Sequence, residues 1–591
     1  MPSPTAPDDR LRLAIQYHQA GRHQEAFPLY RELLATFPRD HRVHAQLGLL
    51  LHQHGAHAQA MEHFRSSLEI DDRQAGVWTN YAEAARLLDR LVDAEAHCRR
   101  ALELNPTCAV THNNLGLVLY RQGKLRESEA ALQRALALAP QKAKTWINLS
   151  NVLRDWMRFE EAEAALRTAL ELDPADLVAR SNLLFLLGYR SDASPGELYS
   201  EARQWGHRVT GTFRETPLPP TAPFSDRRLR IGYLSPDFRA HSVATFFEPL
   251  LAAHDPAAVE VFCYANVGRP DEVTERLRSQ AAAWHSIYTL DDASATQLIR
   301  SHGLDVLVDL AGHTSGTRLG IFARRAARVQ ACWLGFFATT GLRTMDYWIT
   351  DAVLHPPEYD DLFVERLWRL DRCWLAYRPP ASAPEPGAPE AGTPVLFGSF
   401  NQILKVTPAT VRLWSRVLAA VPDSRLLLKT KSLGDSEARD RIRAQFTQEG
   451  IASERIELLP YFRNKEEHLA QYNRVDISLD TCPYSGGTTT CEALWMGVPV
   501  LTLTGSTMPG RMSTSILHAA GLSSWCAATA EAFVAIAVER SRALRALSTE
   551  ERKAERRRRR EQVERSSLCD AVHLARALEK AYAGMVTERA G

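Results

Sequence analysis

Along the first third of the chain, small and bulky residues recur with a step of 34. One small column runs through Ala26, Ala60, Ala94, Ser128 and Ala162. A second runs through Ser67, Ala101, Ala135 and Ala169, with the larger Leu33 at its head. Leu13, Leu47, Tyr81, Leu115 and Leu149 share a bulky column, and Ala14, Gly48, Ala82, Gly116 and Ser150 follow at the next position. Units close on Pro38, Pro106, Pro140 and Pro174, with Asp72 where one unit lacks the proline. Small residues let two antiparallel helices approach, bulky neighbours fill the space between them, and proline ends the second helix. The pattern predicts five helix pairs from about residue 7 to 176, with a partial sixth in LVARSNLLFLLGYR.

Near residue 226 the pattern changes. Short apolar runs (VEVFCYA, LDVLVDLAGHT, VQACWLG, MDYWITD) alternate with amphipathic stretches, as parallel strands alternate with crossover helices. A Pro-, Ala- and Gly-rich stretch, RPPASAPEPGAPEAGTP, reads as an exposed linker. Alternation then resumes through VLFGSF, SRLLLKT, RIELLPYF, KEEHLAQY and VDISLD, with Thr407-Pro408 as a cap and first residue of a helix. A long charged helix is expected from about Ser548 to Val586, able to pack back across both preceding domains.

The 34-residue unit resembles the tetratricopeptide repeat. The expected fold class is therefore α plus α/β: a helical superhelix over residues 1–225, Rossmann-like domains over 226–385 and 393–550, and a C-terminal helix over 551–591. A repeat superhelix presents a concave face to extended peptide. Asn113, Asn114, Asn148 and Asn151 could hydrogen-bond a bound backbone there, or simply face solvent. In open α/β sheets ligands lie beyond the carboxyl ends of the strands.

Composition narrows the partners. Lys plus Arg nearly balance Asp plus Glu over 591 residues, for a net charge of +1, which gives no pull toward nucleic acid or an acidic membrane. The nine cysteines form no CxxC pair, which favours reduced thiols over a disulfide frame. No apolar run has the length of a membrane span or the form of a signal peptide, so a cytoplasmic protein is expected. No Asp-x-Asp pair of the kind that holds Mg²⁺ on a nucleotide sugar occurs in the second part, and no metal is expected. The run Arg556 to Arg560 lies between Glu555 and Glu561 and reads as a solvated helix face rather than a nucleic-acid patch.

The chemistry gathers in DTCPYSGGTTTCEALWMGVPVLTL, where a strand gives way to a small loop and a helix. Gly486 and Gly487 let backbone approach a ligand, and N–H groups at a helix start face an anion. Thr488, Thr489 and Thr490 add hydroxyls suited to phosphate oxygens, and Glu492 can accept from a ribose hydroxyl. In FNQILKV, Lys405 follows a strand, where its charge can meet a diphosphate. Lys465 and His468 start a helix after a strand, at an edge where a base could rest. GYLSPDFRAHSV puts Asp237 and His241 just after a strand, and DLAGHTSG does the same for His313. A histidine at such a place can act as a base, though either alone is more often structural.

With the repeats before them, GYLSPDFRAHSV, DLAGHTSG, FNQILKV and DTCPYSGGTTTCEALWMGVP resemble the O-linked N-acetylglucosaminyltransferase family, including bacterial homologues and SPINDLY-type plant relatives. The resemblance extends over almost the whole chain. It implies a GT-B fold and an inverting, metal-independent transfer of GlcNAc from UDP-GlcNAc to Ser or Thr hydroxyls of a protein held by the repeats, with no cofactor. By motif it implies Lys405 at the leaving diphosphate with Thr488 and Thr489 at its oxygens and Gln402 beside the donor. It places Glu492 at the ribose, and Arg463, Lys465 and His468 around the base. His241, near Asp237, falls beside the transferred sugar and acceptor, with His313 on the acceptor side. Animal members carry histidine in place of Gly487, aspartate in place of Glu492 and tyrosine in place of His313. The SGGTTTCE form is nearer the SPINDLY type, some members of which use GDP-fucose. A protein O-fucosyltransferase is therefore the alternative enzyme, and a repeat scaffold that senses nucleotide sugar is a third option. Homo-oligomerisation is left open.

Overall fold

The structure, a computed structural model, describes residues 7–190, 193–211, 227–462 and 464–590. It divides into two compact units between Ala179 and Arg180.

The first unit holds ten helices among the described residues up to Leu172, from Pro7–Gln19 to Phe159–Leu172, with Leu177–Leu187 crossing the unit boundary. The small columns are there because space demands it. A Cβ on Gly116 would lie 2.6 Å from the Leu132 side chain of the partner helix. The asparagines of neighbouring repeats bond to each other, Asn148 Nδ2 donating to Asn113 Oδ1 at 2.9 Å, and Asn151 donates to the Ile147 carbonyl.

The second unit contains two parallel sheets. The first runs β3-β2-β1-β4-β5-β6-β7. Its strands are β1 (Leu229–Ser235), β2 (Val259–Ala265), β3 (Ala283–Ser286), β4 (Val306–Asp309), β5 (Val329–Cys332), β6 (Tyr347–Asp351) and β7 (Arg366–Leu370). The second runs β10-β9-β8-β11-β12-β13. Its strands are β8 (Leu396–Ser399), β9 (Arg425–Lys429), β10 (Ile456–Leu459), β11 (Ile477–Leu479), β12 (Val500–Leu503) and β13 (Cys526–Ala527). Strand order reverses between β1 and β4 in one sheet and between β8 and β11 in the other, so each sheet has one switch point where a ligand crevice opens. Strands β3, β7 and β13 were not expected from the pattern. They are short or carry charged residues, and they lie at or next to sheet edges.

Two expectations are corrected. The chain from Arg180, including the helix Pro195–Thr210, belongs with the α/β unit and not with the repeats, so the boundary drawn at 225 is too late. The single C-terminal helix is two, Thr549–Glu564 and Ala571–Ala590, parted by a turn at Ser567–Cys569. The first packs on the second sheet domain. The second crosses to the first sheet domain, where Tyr582 meets Tyr233 hydroxyl to hydroxyl at 3.2 Å and Glu579 accepts from His254 at 2.9 Å.

The arginine run is also not a plain solvated face. Arg556 is buried, donating to the Gly387 and Tyr472 carbonyls and to that of Val475, while Arg559 donates to the Gly497 carbonyl and Arg560 to that of Trp495. Helix periodicity turns these residues inward, and carbonyls of loops and of a helix end satisfy their guanidinium groups.

Candidate active site

Apart from Lys465 and His468, which come after the edge strand β10, the described site residues predicted from sequence follow the strands that flank the two switch points. Asp237 and His241 follow β1, His313 follows β4, Gln402 and Lys405 follow β8, and the glycine loop follows β11.

The loop is shaped by Asp480, which is buried just past β11. Its Oδ1 accepts from the backbone of Gly486 at 2.7 Å and Thr481 at 3.0 Å, and Oδ2 accepts from Thr502 at 2.7 Å. A Cβ on Gly486 would sit 2.3 Å from Thr490 Oγ1 and 3.0 Å from Thr489 Oγ1, so only glycine fits. Gly487 faces open space. The helix Thr488–Trp495 begins after it with no side-chain cap on its first turn, which leaves backbone N–H groups free to meet an anion. Thr489 donates to Asn401 Oδ1 at 2.8 Å, tying this helix start to the loop after β8.

Lys405 reaches the same place from the other strand. Its Nζ donates to the Ser485 carbonyl at 2.7 Å and lies 4.0 Å from the centre of the Tyr484 ring. Burial holds its pKa down, to about 8, against a smaller opposing pull from Asp480. Tyr484 stacks on Tyr189 at 4.8 Å and meets Phe337 of the first sheet domain edge-on at 5.4 Å. The lysine therefore stands where the two sheet domains touch. Gln402 is exposed beside it.

A second polar group lies at the end of β9. Glu492, buried, accepts from His468 Nε2 at 2.9 Å and from Lys465 Nζ, and His468 Nδ1 in turn bonds Lys429 Nζ. Burial alone would push the Glu492 carboxyl up, but the bonds to His468 and Lys465 overcome it and hold it at about 2. Burial holds Lys429 down, to about 8. Arg463, expected in the same pocket, lies outside the described residues.

In the first sheet domain, His241 caps the helix Ser242–Ala253. Its Nδ1 accepts from the Val243 N–H at 3.3 Å and lies 3.4 Å from Asp237 Oδ2, with 40% of the side chain exposed. Burial is the main influence on both groups, pushing the Asp237 carboxyl up and the His241 imidazole down. His313 is different. It is buried between Trp205 and Phe336, with Nε2 donating to the Thr340 carbonyl at 2.9 Å and Nδ1 accepting from Ser181 at 3.1 Å. Burial lowers its pKa to about 4. Both nitrogens are engaged within the fold, so His313 is a neutral structural residue and not one facing an acceptor.

Sequence reasoning missed Asp480, Lys429 and Tyr484. The first two were visible as charged residues at the carboxyl ends of otherwise apolar strands, in VDISLD and SRLLLKT. Tyr484 carried no such signal. Among the described residues, no three His, Cys, Asp or Glu side chains group as a metal site, and no helix is long and apolar enough to cross a membrane.

The profile of glycosyl transferase family 41 matches residues 214–376 and 386–573, more than half of the chain. The chain belongs to that family. Tetratricopeptide repeat profiles match residues 11–75, 73–141 and 107–175. Among curated family 41 relatives, the probable UDP-N-acetylglucosamine–peptide N-acetylglucosaminyltransferase SPINDLY of Petunia hybrida is 37% identical over 413 residues, 69% of this chain. The chain spans only 44% of that relative's length. The similarly named SEC protein of Arabidopsis thaliana is 32% identical over 310 residues, 50% of this chain and 31% of its own. A solved mutant of the Thermobaculum terrenum O-GlcNAc transferase superposes with a TM-score of 0.80 at 38% identity, covering 87% of this chain and 98% of that one. The architecture is thus the family's: tetratricopeptide repeats followed by the two Rossmann-like domains of a GT-B fold.

Proposed function

We propose that this family 41 glycosyltransferase is an inverting protein O-linked N-acetylglucosaminyltransferase, moving GlcNAc from UDP-GlcNAc to Ser or Thr hydroxyls of proteins bound by the repeats. The observation that carries this reading is the pairing of Lys405 with the uncapped start of the Thr488–Trp495 helix. A cation that follows a neighbouring strand bonds the same loop whose helix start leaves its N–H groups free, the combination a departing diphosphate requires. The names of the relatives and of the solved transferase support GlcNAc as the sugar.

In this reading the acceptor oxygen bonds to sugar C1 as the C1–O bond to phosphate breaks, through an oxocarbenium-like state. The bonding pair leaves on the diphosphate, where Lys405 shifts from the Ser485 carbonyl to a phosphate oxygen, joined by the helix start and the Thr488 and Thr489 hydroxyls. Gln402 lies beside the donor. Glu492, fixed by Lys465 and His468, keeps spare lone pairs for a ribose hydroxyl. His241 takes the acceptor proton at Nε2 in the tautomer whose own proton sits on Nδ1; there Nδ1–H donates to Asp237 instead of Nδ1 accepting from the Val243 amide, the two partners being about equally near. No metal is assigned a step.

Calorimetry with UDP, UDP-GlcNAc, GDP and GDP-fucose, on wild type and Lys405→Ala, tests this. Uridine binding that weakens in the variant, followed by a GlcNAc mass increment on an acceptor peptide, is expected. Preference for guanosine would replace GlcNAc transfer by fucosyl transfer, and no donor binding would leave only the repeat scaffold.

A further inference from the structure

The donor loop lies at the carboxyl ends of the second sheet. At the opposite edge, before β11, β12 and β13, a cavity of about 440 Å³ opens beneath the helices Ala530–Arg545 and Thr549–Glu564. Five arginines line it against two carboxylates, Asp476 and Glu555. Arg556 and Arg559 are occupied by backbone carbonyls. The other three are Arg540, Arg552 and Arg558.

Arg552 is the informative one, at 3% exposure. Its Nη2 donates to the Leu544 carbonyl at 2.9 Å. Its Nε and Nη1 have no hydrogen-bond partner, and Nη1 lies 3.6 Å from Asp476 Oδ1. Arg540, 5.2 Å over the Trp525 ring, likewise has a buried Nε with no hydrogen-bond partner. Asp476 does not satisfy them: its Oδ2 accepts from the Leu396 backbone at 3.0 Å, and its Oδ1 stays at 3.6 Å from Arg552, beyond hydrogen-bond distance. Buried guanidinium N–H groups left without acceptors are costly, and oxygens of a tetrahedral anion match their planar fork.

We propose that this cavity binds a free, multiply charged anion of the polyphosphate class, held by Arg552 and Arg540 in the recess and Arg558 at its mouth. Arg552 lies too deep for a headgroup fixed in a flat bilayer, which favours a free anion. The site is separate from the donor crevice, and the proposal does not depend on which sugar is transferred.

The test is calorimetry of the full chain with tripolyphosphate, in wild type and in Lys405→Ala to remove the donor-side cation. One-to-one binding that survives Lys405→Ala is expected, with affinity reduced at least tenfold in Arg540→Gln and in Arg558→Gln. Arg558 is exposed, so its variant reports on binding even where Arg540→Gln lowers stability. Absence of binding in Lys405→Ala, or unchanged affinity in both arginine variants, would overturn the proposal. Sedimentation with vesicles of anionic lipid distinguishes the source: vesicle binding lost in the same two variants would overturn a free ligand in favour of a headgroup.

Discussion

With Lys405 at the diphosphate, as proposed, donor binding depends on pH. In the free protein burial holds the lysine at about 8, against an ordinary value of 10.5. A bound diphosphate favours the ammonium and restores it. Only the protonated lysine then binds well, so affinity is level below pH 8 and falls above it. At pH 9 about one free molecule in eleven carries the charge, which weakens UDP binding about tenfold relative to pH 7, or about 1.4 kcal/mol. Each complex formed at pH 9 takes up about 0.9 proton, and about 0.1 at pH 7. Calorimetry in buffers of different ionisation enthalpy measures both quantities. Lys429 also sits at about 8, so a control is needed. Lys405→Arg stays charged throughout, and any slope it retains belongs to Lys429. A wild-type affinity level from pH 7 to 9 with no proton uptake would refute the argument, as would a Lys405→Arg variant that keeps the whole slope.

Four further outcomes are expected. Gly486→Ala drives a methyl into Thr490 Oγ1 and should cost about 1–3 kcal/mol, read from urea midpoints, together with loss of UDP binding. Glu492→Gln leaves Lys465 and His468 without their carboxylate and should cost about 3 kcal/mol at pH 7. Because the folded carboxyl lies at about 2 against 4.5, that contribution is complete above pH 4.5 and fades as pH falls toward 2, so wild type and variant should converge in urea melts across that window. His313→Phe removes two buried hydrogen bonds and should cost about 2–4 kcal/mol while leaving UDP affinity unchanged. His241→Ala should cost only about 1 kcal/mol as a lost cap but abolish transfer in a peptide glycosylation assay.

The repeats were legible because one geometric demand, close helix approach, is repeated at a fixed step, so each column corroborates the others. Inner strands such as VEVFCYA and VQACWLG were legible because burial on both faces leaves a mostly apolar run, interrupted only by Glu260 and Gln330. Edge strands with a wet side carry no such run, which hid RLWRL. At the site, sequence located the loops but not the partners inside them. That Lys429 reaches His468 depends on strands brought side by side across 39 residues, and that Asp480 folds the glycine loop six residues on depends on where its buried carboxylate turns, which no residue pattern states. His313 shows the converse. Its position after a strand resembled that of His241, and only the packing of Trp205, Ser181 and Thr340 around it separates a wall residue from a working one. The arginine run misled through its exposed acidic neighbours, since nothing in a string of like charges says which of them a helix turns inward.

The chain passes between the two sheet domains twice, once after β7 and again in the turn before Ala571–Ala590, and the two passages are fastened together. Tyr377 N donates to the Leu568 carbonyl at 2.8 Å, and Arg372 donates to the carbonyls of Asp570, at 2.6 Å, and Ser567. Two strands of a strap lying side by side act as a hinge pin. Bending about that pin spares its own bonds, whereas twisting would shear bonds on both strands at once; the bonds that bending must break lie across the cleft, where Ser515 donates to Asp351 at 2.6 Å and Arg511 to the Val353 carbonyl at 2.9 Å. The donor crevice should therefore open and shut along a single arc, carrying Phe337 toward or away from Tyr484 without changing its bearing. Under the proposed activity, product escape and acceptor entry then share one door.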